Sequence, residues 1–394
     1  MSALTGPLVV PTPWYPTSDR PYFGAFVRQW VRALGLPSDQ VTVIHLEMVE
    51  PDDPRLASER AEPEGRLIWV PVKVGHRLPR AEAAEAQANG IVGAGLEALR
   101  AAEVVFAHVV MPTGVAVARH LRPGQRLVLV EHASYLPQLL RRPETRALYG
   151  QAVDLSDAVL TVGEAGAALI GRAFPAAGAK TWAVGNPVDA DAFPYVERPA
   201  EGGLRRWLYV GNLLDTKGVF EVLDGFRAYA AAVGSRGTSL TFVGDGPARG
   251  ELEDRARRAG RSHRVAFAGA LTAPEVAAAM AQADVQIHLS PAETFGLAPL
   301  EGLLTGLPLV VARNDGTAQT MGPALAAGRA VMIDRPAGWR GAARVAQAVR
   351  RLERQLSHSD PRAALTVREE IVGRYGLAQF GAMERRVAAG LPPF

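Results

Sequence analysis

The sequence predicts an α/β chain of two doubly wound parallel-sheet domains. Three observations carry that expectation. Short apolar, β-branched runs alternate with Ala-rich helical stretches along the chain, which argues for parallel sheets with helices on both faces. One segment, Asn186–Arg205, breaks the rhythm with Pro187, Pro194, Pro199, Gly202 and Gly203, and reads as a linker. The alternation then restarts.

In the first half the predicted strands are Leu8–Val10, Val41–Leu46, Leu67–Val72, Val104–His108, Leu127–Glu131, Ala158–Val162 and Thr181–Val184. Helices are expected over Phe23–Leu34, Arg80–Ala102, Gly114–His120 and Ala165–Phe174. The second half reads as strands at Trp207–Gly211, Ser239–Val243, Val265–Ala268, Val285–Leu289 and Leu309–Ala312. Between them lie predicted helices Val219–Ala232, Gly250–Ala259, Ala273–Ala283 and Ala298–Leu304. The domains are placed at 1–195 and 196–375. A last helix, about Leu377–Ala388, either completes the second domain or returns to the first.

Composition removes several classes. The 394 residues are 48% hydrophobic and 21% charged, ordinary for globular domains that bury a core unaided. With no Cys, disulfides, thiol nucleophiles and thiolate metal sites are excluded. No apolar run approaches the ~18 residues of a spanning helix, and the N-terminus lacks the pattern of a signal peptide. A cytoplasmic protein is expected. Net charge is only +3. The cluster Arg255, Arg257, Arg258, Arg261 and Arg264 reads as a solvated helix face, so no nucleic-acid partner is expected and membrane association is not favoured.

Ligands of open α/β sheets bind beyond the carboxyl ends of the strands, so candidate residues should follow strands. Glu293 and Glu301 lie after Val285–Leu289, with Pro299 fixing a helix start near Gly296–Ala298. The free N–H groups of Phe295, Gly296, Leu297 and Ala298 would then form an anion site at the positive end of a helix dipole. A carboxylate on each side could hold pairs of hydroxyls. A nucleotide sugar fits that layout: ribose diol on Glu301, diphosphate on the helix start, sugar hydroxyls on Glu293.

These residues, with the following run Thr305–Ala312, resemble the E-x7-E signature and Gly-x-Pro-Val-Val run of retaining glycosyltransferases of family 4. The resemblance spans about residues 8–320. It implies the GT-B fold, in which two Rossmann-like domains face each other across a cleft, and a nucleoside-diphosphate sugar donor, a UDP sugar on family frequency. Lys217, one of only three lysines, sits in Gly211–Gly218, similar to the family's Gly-Arg-Leu-x-x-x-Lys-Gly motif. It would neutralise the leaving diphosphate. Asn212 stands where the family usually has Arg. Gly244, in Val243–Pro247, resembles the turn that lies near the nucleotide, and Val265–Gly269 the base-contacting strand end. No metal site and no cofactor are expected.

In the first half, a long aromatic loop from Val10 to Gly24 offers Trp14, Tyr15 and Tyr22 as a wall for a small or glycan acceptor. Gly24 resembles the family's glycine loop over the diphosphate. His132, after Glu131, is similar to the family's Thr-Glu-His run, whose histidine sits by the donor sugar. His108, with Pro112 and Gly114, resembles the segment before it and is assigned to the acceptor side. Asn186–Asp189 reads as a structural hinge. Two other readings stay open: a nucleotide-sugar 2-epimerase, and a non-catalytic protein that binds a sugar nucleotide.

Overall fold

A computed structural model describes residues 6–17, 20–75, 78–198, 203–234, 236–258, 264–334 and 338–394. Arg261 of the basic cluster, and Pro199 and Gly202 of the linker, lie outside them. The chain forms two compact units, residues 1–187 with 377–394, and residues 188–376.

Among the described residues unit 1 has eight strands: β1 (Leu8–Thr12), β2 (Val41–Val49), β3 (Ser58–Glu62), β4 (Gly65–Lys73), β5 (Val104–His108), β6 (Arg126–Glu131), β7 (Ala158–Thr161) and β8 (Thr181–Ala183). They lie in the order β3-β4-β2-β1-β5-β6-β7-β8. Every pair is parallel except β3–β4. The sheet is parallel, as expected, with one antiparallel edge strand added. Strand β3 reads Ser-Glu-Arg-Ala-Glu and is almost wholly exposed, so no apolar pattern announces it. Its charges suit an edge that must not pair further.

The helices of unit 1 are α1 (Ala25–Leu34), α2 (Arg80–Gly90), α3 (Leu96–Ala101), α4 (Val115–Ala118), α5 (Leu136–Arg141), α6 (Pro143–Leu155) and α7 (Glu164–Ala173). The single helix expected over Arg80–Ala102 is present as a helical path from Arg80 to Ala101, widened by one turn at Ile91–Gly95. There Gly90 and Gly95 sit so close to Val70 and Ile44 that an added Cβ would lie 3.2 and 3.1 Å from their side chains. The expected helix Gly114–His120 shrinks to α4 for a similar reason, following a wide turn over Val110–Gly114.

Unit 2 carries β9 (Arg206–Val210), β10 (Ser239–Val243), β11 (Arg264–Gly269), β12 (Val285–His288), β13 (Leu309–Ala312) and β14 (Ala330–Ile333). All are parallel, in the order β11-β10-β9-β12-β13-β14. The helices are α8 (Val219–Val233), α9 (Arg249–Arg258), α10 (Ala273–Gln282), α11 (Leu297–Leu304), α12 (Asp315–Thr320), α13 (Gly322–Ala326), α14 (Gly338–Leu356) and α15 (Ala363–Tyr375). On α9 the arginines pair with Glu251, Glu253 and Asp254 at helical spacing, a solvated face. Both sheets are doubly wound α/β layers, as expected.

The final helix, α16 (Leu377–Ala388), belongs to unit 1 and packs on α1. Phe380 meets the Trp30 indole edge-on at 4.7 Å, and Arg385 donates to the Leu34 carbonyl at 2.6 Å. The division falls at 187/188 and 376/377, where sequence analysis sets it at 195/196 and 375/376. Val188 and Phe193 are tied into unit 2, Val188 through the Tyr375 carbonyl and Phe193 through Arg368. No helix among the described residues is long and apolar enough to cross a membrane.

Candidate active site

In unit 2 the strand order reverses beside β9, with β10 on one side and β12 on the other. A reversal of this kind opens a crevice at the carboxyl ends of the strands. The loop after β9 supplies Lys217 and the loop after β12 supplies Glu293. Lys217 Nζ donates to Glu293 Oε1 at 2.8 Å across 76 residues of sequence.

His288, the last residue of β12, lies 3.1 Å through Nε2 from the same oxygen. Its ring stacks on Tyr209 with an interplanar angle of 7°, and the Tyr209 hydroxyl donates to the Asn212 carbonyl at 3.0 Å. Burial works to raise the Glu293 carboxyl. The hydrogen bond and charge of His288, then those of Lys217, outweigh it and hold the group at about 2. Sequence reasoning missed His288. A histidine at the carboxyl end of a predicted strand was the available signal.

Helix α11 begins beside this pair, capped by Gly296 with no side-chain cap. Gln286 on β12 donates to the Ala298 carbonyl at 3.0 Å and so fixes the first turn against the strand. Leu297 and Ala298 open that turn, where N–H groups have no partner within the helix itself. Phe295 contributes backbone only, since its ring is buried edge-on against Tyr375. Glu301 follows one turn later. It has no hydrogen-bond or ion-pair partner among the described residues, and burial pushes its carboxyl up to about 7.

Gly244 is bonded through its N–H to the Gly269 carbonyl, and a Cβ there would lie 2.0 Å from the Gly211 carbonyl oxygen. Three strand-end loops thus approach closely, and Asn212 is exposed among them. Among the described residues no group of three His, Asp or Glu side chains could hold a metal ion.

In unit 1, His108 Nδ1 and His132 Nε2 are 2.9 Å apart with rings nearly parallel. Burial holds His132 down at about 3 and His108 well below the usual range, so both are neutral and share one proton donor. Trp30 stands edge-on to both rings and Phe26 lies against His132. Glu131 accepts from the Ala133 N–H and the Tyr149 hydroxyl, and burial raises it to about 7.

Two expected contacts are corrected. His108 is 1% exposed, closed off by Trp30 and His132, and supports His132 instead of lining an acceptor wall. Tyr15 is equally buried, with its ring beside His45. It is core, because the loop turns inward after Trp14. Trp14 is half-buried and Tyr22 is exposed. Gly24 caps α1 at φ 71°, and a Cβ would lie 2.4 Å from the Trp14 carbonyl carbon. The glycine there is demanded by the aromatic loop's own backbone.

Residues 197–363 match the sequence model of the family described as Glycosyl transferases group 1. That match falls within unit 2 and is a similarity of that unit to the family. Curated relatives include the glycogen synthase of Mycobacterium tuberculosis, 29% identical over 190 residues, covering 48% of this chain and 45% of that protein. The 2-deoxystreptamine glucosyltransferase of Streptomyces kanamyceticus is 32% identical over 116 residues, 29% of each chain. The chain thus spans less than half the length of these relatives.

Among solved structures, the sucrose-phosphate synthase of Thermosynechococcus elongatus aligns over 97% of this chain and 98% of its own, with a TM-score of 0.72 at 16% identity. The Anabaena protein HepE, solved with UDP and glucose, aligns over 98% and 100% with a TM-score of 0.67 at 15% identity. The chain therefore shares the fold of these structures, the GT-B fold.

Proposed function

We propose that the chain is a retaining glycosyltransferase that moves a sugar from a nucleoside-diphosphate sugar, a UDP sugar favoured, to a hydroxyl of a small acceptor. The observation that carries this reading is the convergence of Lys217 and Glu293 at the strand reversal of unit 2, beside the open start of α11. The names of the glucosyltransferase and synthase relatives agree with sugar transfer, and the UDP complex of a structural neighbour agrees with the base.

In this reading the unpartnered Glu301 carboxylate takes the ribose diol. The first N–H groups of α11 and Lys217 take the diphosphate. Glu293, kept ionised by His288 and Lys217, accepts hydrogen bonds from the sugar hydroxyls. The acceptor hydroxyl attacks the anomeric carbon on the face from which the diphosphate departs. The C–O bond to phosphate breaks, and a phosphate oxygen takes the acceptor's proton. Lys217 offsets the charge that gathers on the leaving group, commonly a large share of such catalysis. For His132 we keep the role that the Thr-Glu-His resemblance implies, a hydrogen bond to the sugar from a neutral ring.

The test is a thermal-shift panel of UDP, GDP and ADP, followed by assay of nucleoside diphosphate release from the matching sugar nucleotide. A ligand that binds the folded state raises its melting point. Release that requires an acceptor supports transfer, whereas release without one, with a new epimer formed, supports the 2-epimerase. No shift with any nucleotide rejects the site. A trapped glycosyl-enzyme adduct rejects front-face attack.

A further inference from the structure

In unit 1 the strand order reverses beside β1, which lies between β2 and β5, and a cavity of about 200 Å³ opens at the carboxyl ends of these strands. This is where open α/β sheets take ligands. Trp14, Phe23 and Tyr135 form aromatic walls, while Arg20, Arg80 and Glu47 bring charge.

The charges do not cancel. Glu47 pairs with Arg20 and also accepts from the Trp69 indole at 2.7 Å. Arg80 has no carboxylate partner among the described residues. Its guanidinium lies 4.8 Å from the centre of the Tyr135 ring. It is also the first residue of α2, where the positive end of the helix dipole disfavours a cation and welcomes an anion.

Among the described residues the Tyr135 hydroxyl is buried without a hydrogen-bond partner, although buried hydroxyls nearly always find one. Val109, on the same wall, is held at φ 65°. A β-branched residue resists that conformation, and such strain gathers at ligand sites.

We propose that this cavity binds an anionic group of the acceptor, a phosphate or carboxylate on a small hydroxyl-bearing molecule, with Arg80 and Tyr135 as its contacts. The proposal rests on reading unit 1 as the acceptor side. Arg80 supplies the charge and Tyr135 donates its unused O–H, while the aromatic walls cover the carbon skeleton.

Calorimetry on the full chain tests it with glucose, glucose 6-phosphate, glucuronate, inositol, inositol 1-phosphate and inorganic phosphate. The expected result is that an anionic member binds at least tenfold more tightly than its neutral counterpart. Arg80→Gln removes that preference, and Tyr135→Phe weakens it about threefold or more. Tyr135→Phe deletes only an oxygen that bonds nothing, so its folding is not in question. A preference shared by the phosphates marks a phosphate site, and one confined to glucuronate marks a carboxylate site. No preference for any anion over its neutral counterpart, or a preference that survives Arg80→Gln, overturns the proposal. UDP binding measured on the same samples separates the two readings. UDP binding without anion preference leaves the donor site standing and removes this one.

Discussion

Glu293 and Glu301 lie eight residues apart and meet opposite electrostatic conditions. Glu293 shares one oxygen between Lys217 and His288 and is held at about 2, while Glu301 is desolvated without a partner and rises to about 7. The depressed group contributes stability above its unfolded value near 4.5 and loses it as pH falls toward 2. For Glu301 the order is reversed. Its contribution is complete below about 4.5 and fades as pH climbs through 7. Glu301→Gln should therefore raise the melting point at pH 8 by roughly 2–4 °C, about 1 kcal/mol, with the gap closing at pH 5. The same variant should bind nucleoside diphosphate at least tenfold more weakly. An unchanged melting point at pH 8 would refute the desolvation argument.

Lys217→Ala should lower kcat by roughly a hundredfold or more, with nucleoside diphosphate release as the readout. Glu293→Gln should act mainly through kcat and leave UDP affinity within about threefold. A Glu293→Gln protein with full turnover would place the sugar-binding group elsewhere.

At the level of elements, the carboxyl ends of β9 and β12 put these groups together, and much of that was legible beforehand. Strand ends, the Pro299 helix start and the rare lysine all announce themselves through spacing and residue type. Tyr15 and His108 did not, because an aromatic or histidine after a strand reads alike whether it faces ligand or core. Only the inward turn after Trp14 and the Trp30 lid on His108 separate the two cases. Strand β3 escaped because a charged edge carries no hydrophobic period.

The α12 contact offers a further test. Gly316 donates to the Glu293 carbonyl at 3.0 Å, and a Cβ there would meet the Phe295 nitrogen at 2.7 Å and the Glu293 oxygen at 2.8 Å. Gly316→Ala should push the Glu293 loop aside by several tenths of an ångström. The expected cost is about 1–3 kcal/mol of stability and at least tenfold in turnover, measured by denaturation and initial rates. A variant with wild-type kinetics would show that the loop position does not matter.

Across the whole molecule, the chain leaves unit 1 at Pro187, builds unit 2, and comes back as α16. The return could not be read from sequence, since an amphipathic helix names its apolar face and not its partner. Phe380, Met383 and Val387 are buried, so Phe380→Ala should cost unit 1 about 3–5 kcal/mol. Hydrogen exchange would locate that loss in α1 and the strand ends near Trp30, with α8 and α14 of unit 2 unaffected.

That route through the chain has a consequence for synthesis. Arg385 and Leu34, joined by a hydrogen bond, are 351 residues apart, so while the ribosome is still making the second half, the indole of Trp30 has no Phe380 to cover it. The nascent first half carries an uncovered aromatic side chain until α16 has been translated. Newly made polypeptide should therefore be a better client for chaperones that bind exposed apolar surface than the finished protein.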